Sequence, residues 1–242
     1  MTNHPQGWRS RGYLPHYDNT KTFQFITFRL ADSLPQQLLG NFKQSLELLP
    51  QSAISLERRK HLDKWLDAGL GCCALKNPQV AKTVQDALKK FDGERYNLIS
   101  WCVMPNHVHV LIEALDSLPR IVRSWKSYTG RWAMSHDAQL ELRVPGKRFW
   151  MQDYWDRYVR NEDHFRQVVD YIHNNPMKAG LCRNASEWKW SSALVQLELR
   201  VPGCAQLQLR KWQKSTAPQN PPADQLADTS NPPPHSSPTQ ST

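Results

Sequence analysis

The sequence predicts an α+β protein, and three observations carry that expectation. Residues 22–30 alternate Phe and Thr with Ile at the period of a strand. Residues 96–104 and 107–114 are apolar runs separated by Pro105-Asn106, a tight-turn pair, so they read as a hairpin. Between and after these runs lie segments whose apolar residues recur at i, i+3, i+4 and i+7, the stripe of an amphipathic helix.

The elements follow in order. Residues 1–20 are rich in Arg, Pro and aromatics and read as an extended arm, in which Arg9, Arg11, Tyr13, His16 and Tyr17 interleave charge with stacking surface. The first strand, 22–30, ends near Arg29, within reach of a phosphate. Helices are expected over 34–49, opened by Pro35, and over 54–68 and 78–91. The hairpin comes next. Residues 121–134 are helical by spacing, with Arg123, Lys126 and Arg131 among Trp125, Tyr128 and Trp132. That pattern suits a DNA-facing helix and a core helix with a basic outer face equally. Residues 149–158 hold five aromatics, expected to shape the wall of a site. In the last helix Asn161 is a good N-cap, and Glu162 and Asp163 suit the positive end of the dipole. Pro176 is expected to end that helix near Asn175.

Gln139-Leu-Glu-Leu-Arg-Val-Pro-Gly146 recurs residue for residue at 196–203, too short a unit for a solenoid. From Ser215 onward Pro, Ser, Thr, Gln and Asn dominate, the composition of a disordered tail. The expected organisation is an arm over 1–20, a folded domain over 21–195, and an extension over 196–242.

Lys and Arg number 31 against 22 Asp and Glu, and the net charge is +9. The stretch from Ser215 holds no Lys or Arg and two acids, Asp224 and Asp228, so the basic excess lies before it. Such an excess favours a polyanion, nucleic acid before membrane. No apolar run reaches spanning length, and the polar N-terminus does not resemble a signal peptide. The five cysteines, without paired-motif spacing, read as reduced thiols of a cytoplasmic protein.

Strand alternation places His107, His109 and Glu113 on one face and Val108, Val110 and Ile112 on the other. Two adjacent imidazoles form half of a divalent-metal site. On the last helix Tyr171 and Asn175 lie one turn apart, a phenol and a carboxamide placed as nucleophile and ligand. Each feature alone also fits a surface histidine pair or a half-buried tyrosine.

Together they resemble a known family. Five blocks occur in this order: Arg11-Gly-Tyr-Leu-Pro-His16, Phe25-Ile-Thr-Phe-Arg-Leu30, Trp101-Cys-Val-Met-Pro-Asn-His-Val-His109, Phe149-Trp-Met-Gln-Asp-Tyr-Trp-Asp-Arg157 and Tyr171-Ile-His-Asn-Asn-Pro-Met-Lys-Ala-Gly-Leu181. They resemble the REP-associated tyrosine transposases, members of the IS200-like, single-tyrosine HUH endonucleases. The resemblance implies a ferredoxin-like antiparallel sheet with helices on one face and the histidines on a central strand. It implies Tyr171 as nucleophile, with His107, His109 and Asn175 holding Mg²⁺ or Mn²⁺, although spacing alone does not exclude zinc. The product is then a 5′-phosphotyrosine and a free 3′-OH, and the substrate is single-stranded DNA bearing REP-like hairpins. Candidate DNA contacts are Arg11, Tyr13, Arg29, Lys126, Arg131, Arg157 and Lys178. His164 is a competing ligand or proton acceptor, and Glu113 lies too far along its strand. A monomer associated with the nucleoid is expected, the insertion-sequence relatives being dimers. Two other readings stand beside this one. A histidine-triad nucleotide hydrolase needs a third histidine where this chain has Leu111. A non-catalytic nucleic-acid-binding protein would keep the fold without cleavage.

Overall fold

The computed structural model describes residues 7–10, 15–18, 21–34, 61 and 64–194. The expected helix over 34–49, most of that over 54–68, the second copy of the repeat and the Pro-rich tail fall outside these residues. Within residues 1–20, where an extended arm is expected, β1 (Gly7–Ser10) and β2 (Pro15–Asp18) pair as an antiparallel hairpin. The arm is therefore in part a folded ribbon.

Four further strands build the main sheet: β3 (Phe23–Arg29), β4 (Tyr96–Val103), β5 (His107–Ala114) and β6 (Trp155–Tyr158). Their spatial order is β4-β5-β3-β6 and every neighbour is antiparallel. α1 (Pro78–Lys89) follows β3 and α2 (Leu118–Ser135) follows β5, which completes the βαββαβ order of a ferredoxin-like fold. A single turn, α3 (Asp137–Leu140), and α4 (Glu162–Lys178), which follows β6, complete the regular elements used below. Among the described residues no helix is long and apolar enough to cross a membrane.

Both faces of the sheet are covered. α1 and α2 pack on Ile26, Phe28, Val108, Val110 and Ile112. α4 packs on the other face, where Phe165, Val168, Val169 and Ile172 meet Phe23, Phe25, Ile99 and Leu111. Helices on one face describes the two crossover helices. The helix carrying Tyr171 lies across the sheet from them. This is why all eight residues of β5 are buried, histidines included.

Three local features depart from the sequence expectation. The register of β4 shifts between Leu98 and Ser100, and this bulge presents Ile99 and Ser100 together toward α4. α4 continues through Pro176 to Lys178. Its stop is instead at Gly180, whose φ of 70° is left-handed; Gly180 N–H donates to Met177 O and Leu181 N–H to Pro176 O, closing the last carbonyls. Finally, Phe149 and Trp150 are buried in the core under α1 and α2, and Tyr154 packs against it. These three back the sheet, whereas Trp155 pairs with Thr27, the cross-strand partner of His109, and so lies on the histidine face.

His173 ties α4 to the edge of the sheet. Its Nε2 lies 3.0 Å from Ser100 Oγ and 2.8 Å from Ser192 Oγ, and Ser192 Oγ also accepts from Trp101 N–H. Burial, partly offset by Asp170, lowers the His173 pKa to about 4. The unfolded chain thus binds a proton that the folded chain refuses between roughly pH 6.5 and pH 4. The stability this histidine supplies is complete above that window and is lost as pH falls through it. Unfolding free energies from urea titrations should drop across the window, with this ring contributing on the order of 2 kcal/mol after allowance for its partial exposure. His173→Gln should flatten that limb; an unchanged acid limb in the variant would assign it to other groups.

Candidate active site

β5 carries His107 and His109 on the face covered by α4, with relative exposures of 0% and 1%. Their Nε2 atoms converge to 3.0 Å. The outer nitrogens are held from behind. Asn106 Nδ2 donates to Leu70 O at 2.9 Å, which turns its Oδ1 toward His107 Nδ1 at 2.8 Å. His107 therefore carries its proton on Nδ1 and offers the Nε2 lone pair inward. His109 Nδ1 lies 2.8 Å from Thr27 Oγ1, its cross-strand partner on β3, a hydroxyl that can donate or accept. Burial lowers the His107 pKa to about 3, so the ring is neutral at physiological pH. The neutral imidazole is the form in which histidine binds metals.

α4 runs along β3. Phe165 in its first turn meets Phe23 edge-on at 5.3 Å, and two turns later Tyr171 meets Phe25 at 5.7 Å and His109 at 5.2 Å. The Tyr171 hydroxyl is shielded from solvent. Lys178 Nζ lies 5.2 Å over the Tyr171 ring. One turn beyond Tyr171, Asn175 is fully buried, and neither polar atom of its carboxamide completes a regular hydrogen bond. Asp67 approaches it from the helical stretch over 64–67 that precedes α1. Burial raises the Asp67 pKa, while the Asn175 amide and the Lys178 charge favour the carboxylate. Asp67 Oδ1 also lacks a regular bond, so this contact is a long polar approach and not a made hydrogen bond.

An orphaned buried carboxamide costs stability unless something occupies it. Its oxygen, with the two Nε2 atoms, forms a donor set that fits a divalent cation. Among the described residues no third His, Cys, Asp or Glu joins the pair.

The other expected residues divide between the two faces. Arg29 stands opposite His107 in the β3–β5 register, and its Nη1 donates to Ser33 Oγ at 3.0 Å. Arg157 is exposed and pairs with Phe25, so it also lies on the α4 side. Lys126 and Arg131 sit on α2, across the sheet. Lys126 Nζ donates to Gln152 O at 2.6 Å, and burial lowers its pKa to about 8. Arg11 and Tyr13 lie outside the described residues. His164 is in the first turn of α4, two turns before Tyr171, and its Nδ1 accepts from Arg160 N–H at 3.3 Å. Glu113 accepts from Asn97 Nδ2 at 2.8 Å at the far end of β5. Neither reaches the histidine pair. Sequence reasoning missed Thr27, Asn106 and Asp67. The first two had a signal: Thr27 faces His109 once β3 and β5 pair, and Asn106 directly precedes His107.

Comparison with known proteins bears out the resemblance drawn from the five blocks. Residues 74–175 match the family model described as Transposase IS200 like. A REP-associated tyrosine transposase of Escherichia coli is 26% identical over 110 residues, covering 45% of this chain and 62% of that protein. The chain thus spans less than two thirds of that relative's length. A solved structure of a REP-associated tyrosine transposase bound to a REP hairpin aligns at 18% identity with a TM-score of 0.47, over 77% of this chain and 86% of that one.

Proposed function

We propose, with residues 74–175 matching the IS200-like transposases, that this protein cuts and rejoins single-stranded DNA at REP-type hairpins. The reaction runs through a 5′-phosphotyrosine on Tyr171, with Mg²⁺ or Mn²⁺ held by His107, His109 and Asn175. The observation that carries this reading is the approach of the Tyr171 ring to within 5.2 Å of the His109 ring, whose Nε2 is 3.0 Å from that of His107. The REP element comes from the name of the Escherichia coli relative and the hairpin from the family that the five sequence blocks resemble; both are proposed for this chain on that likeness.

A bound divalent cation would supply Lewis acidity toward the non-bridging oxygens of the scissile phosphate. The chain does the rest. Tyr171 Oη attacks phosphorus, and the Oη–P bond forms as the P–O3′ bond breaks. The phenolic proton passes to solvent, and the departing 3′-oxygen gains one to become a 3′-OH. Lys178, over the phenol ring, favours the developing phenolate. Arg29 adds positive charge beside His107 where a phosphate would lie. The phosphotyrosine ester retains the bond needed for rejoining to another 3′-OH.

The test is a labelled hairpin-bearing single strand, incubated with Mg²⁺ or Mn²⁺ and run under denaturing conditions. A protein–DNA adduct mapping to the peptide that contains Tyr171 is expected, at a yield well above that from the matching duplex. Binding without any adduct would instead favour the non-catalytic reading.

A further inference from the structure

A groove on the helical side of the sheet takes no part in this chemistry. It lies between the C-terminal end of α1 and the outer surface of α2 and encloses about 400 Å³. Lys90 and Arg95 line one wall; Arg120, Arg123, Tyr128 and Arg131 line the other. Along α2, Arg120, Ser124, Ser127 and Arg131 recur at three- and four-residue spacing with Arg123 and Tyr128 flanking them, so together they form one stripe about 16 Å long. No carboxylate lines the groove. Among the described residues, the one ion pair made by its five cations is Arg120 with Asp116 at 3.5 Å. Two of the cations are held in place: Arg95 stacks 3.9 Å over Phe91, and Arg131 Nε donates to Ser127 O at 3.1 Å. Tyr128, in the middle of the stripe, is 49% exposed.

Unpaired cations that face each other across a cleft repel, and the arrangement is stabilised when an anion lies between them. A row of cations on both walls fits a linear polyanion, not a single phosphate. An exposed aromatic ring set among cations is the means by which proteins hold unpaired bases, since every base has a stacking face and a paired base does not present it. The concave shape takes one backbone; a duplex is usually read by a helix or ribbon that projects into its groove. α1 and α2 cover one face of the sheet and α4 the other, so groove and histidines lie on opposite sides.

We propose that this groove is a second nucleic-acid site, which holds the phosphates of a single-stranded segment and stacks an unpaired base on Tyr128. The inference rests on the nucleic-acid part of the proposed function and is independent of its cleavage chemistry.

The experiment uses the full chain with Tyr171→Phe, so that binding is read without reaction. Fluorescence anisotropy follows a labelled oligothymidylate and a labelled blunt duplex at several salt concentrations. Lys90→Glu with Arg123→Glu, both exposed positions, should weaken oligothymidylate binding at least tenfold and flatten the salt dependence by about one unit or more. Tyr128→Ala should weaken it about fivefold or more, with the salt slope and duplex affinity unchanged. Circular dichroism and melting temperature check that the folds match. Oligothymidylate affinities equal to the parent's in both variants overturn the groove, as does an equal loss on duplex from Tyr128→Ala. The two readings fail separately. Absence of an adduct from the protein retaining Tyr171 removes the cleavage reading and leaves these affinities to stand. An adduct together with unchanged affinities removes the groove alone.

Discussion

Tyr171→Phe is expected to abolish the covalent protein–DNA adduct while leaving DNA affinity within about twofold and stability within about 1 kcal/mol. The ring of Tyr171 is what packs: it meets Phe25 and His109 edge-on and carries Lys178 above it, and phenylalanine keeps each of these contacts. The oxygen is what reacts, and no neighbouring group can replace it in the O–P bond. Denaturing electrophoresis with labelled single-stranded DNA reads the adduct, and anisotropy reads the affinity. Persistence of the adduct would move the nucleophile elsewhere, and the structure makes that move hard. Tyr154 packs against the core beneath α1 and α2. Tyr158 pairs with Gln24, which in turn pairs with Ile112, so it too lies across the sheet from the histidines.

His109→Ala and His107→Ala are expected to lower Mn²⁺ affinity on the order of 10²-fold or more, with cleavage not restored by added metal. Each removes an imidazole whose Nε2 points at its neighbour 3.0 Å away. Asn175→Ala removes a single neutral oxygen, so roughly a tenfold loss is expected, and raised Mg²⁺ or Mn²⁺ should partly restore cleavage. Calorimetric titration of the metal into protein without DNA measures the affinities independently of activity. His107→Ala also strips Asn106 of its ring partner and loosens the loop at Leu70. The His109 variant, whose outer partner is a single hydroxyl, is therefore the cleaner of the two. Unchanged Mn²⁺ affinity in His109→Ala would remove the metal site from this pair. An Asn175→Ala loss that no metal concentration repairs would make the carboxamide a structural element of the helix end.

Much of this site was legible in the chain. The strand period alone puts His107 and His109 on one face and the valines on the other, and Pro105-Asn106 turns the chain where the two strands need it. Helical spacing alone puts Tyr171 and Asn175 one turn apart, and Asn161 starts that helix as expected. These are relations within a few residues, and backbone geometry decides them wherever the segment ends up. The helix stop was not legible, because Pro176 argues against αR only at the residue before it, whereas Gly180 and Leu181 close the last carbonyls about one turn further on. The aromatics at 149–154 were misplaced for a related reason. Their composition says that they are buried, and it does not say under which face.

What only the tertiary structure decided is the meeting of these pieces. α4 covers the histidine face because its stripe of Phe165, Val168, Val169 and Ile172 fits the patch left by Phe23, Phe25, Ile99 and Leu111, while α1 and α2 fill the other side. Neither stripe names its partner, since apolar burial is non-directional and its selectivity comes from shape and available area. The bulge at Ile99 and Ser100, the Thr27 hydroxyl behind His109 and the approach of Asp67 to Asn175 follow from that docking. So does the separation of the basic residues: Arg29, Arg157 and Lys178 lie with the tyrosine, and Lys126 and Arg131 lie beyond the sheet. Charge and periodicity in the sequence set which residues are available to the chemistry; the choice of sheet face, a non-local balance of buried area, set which of them share a site.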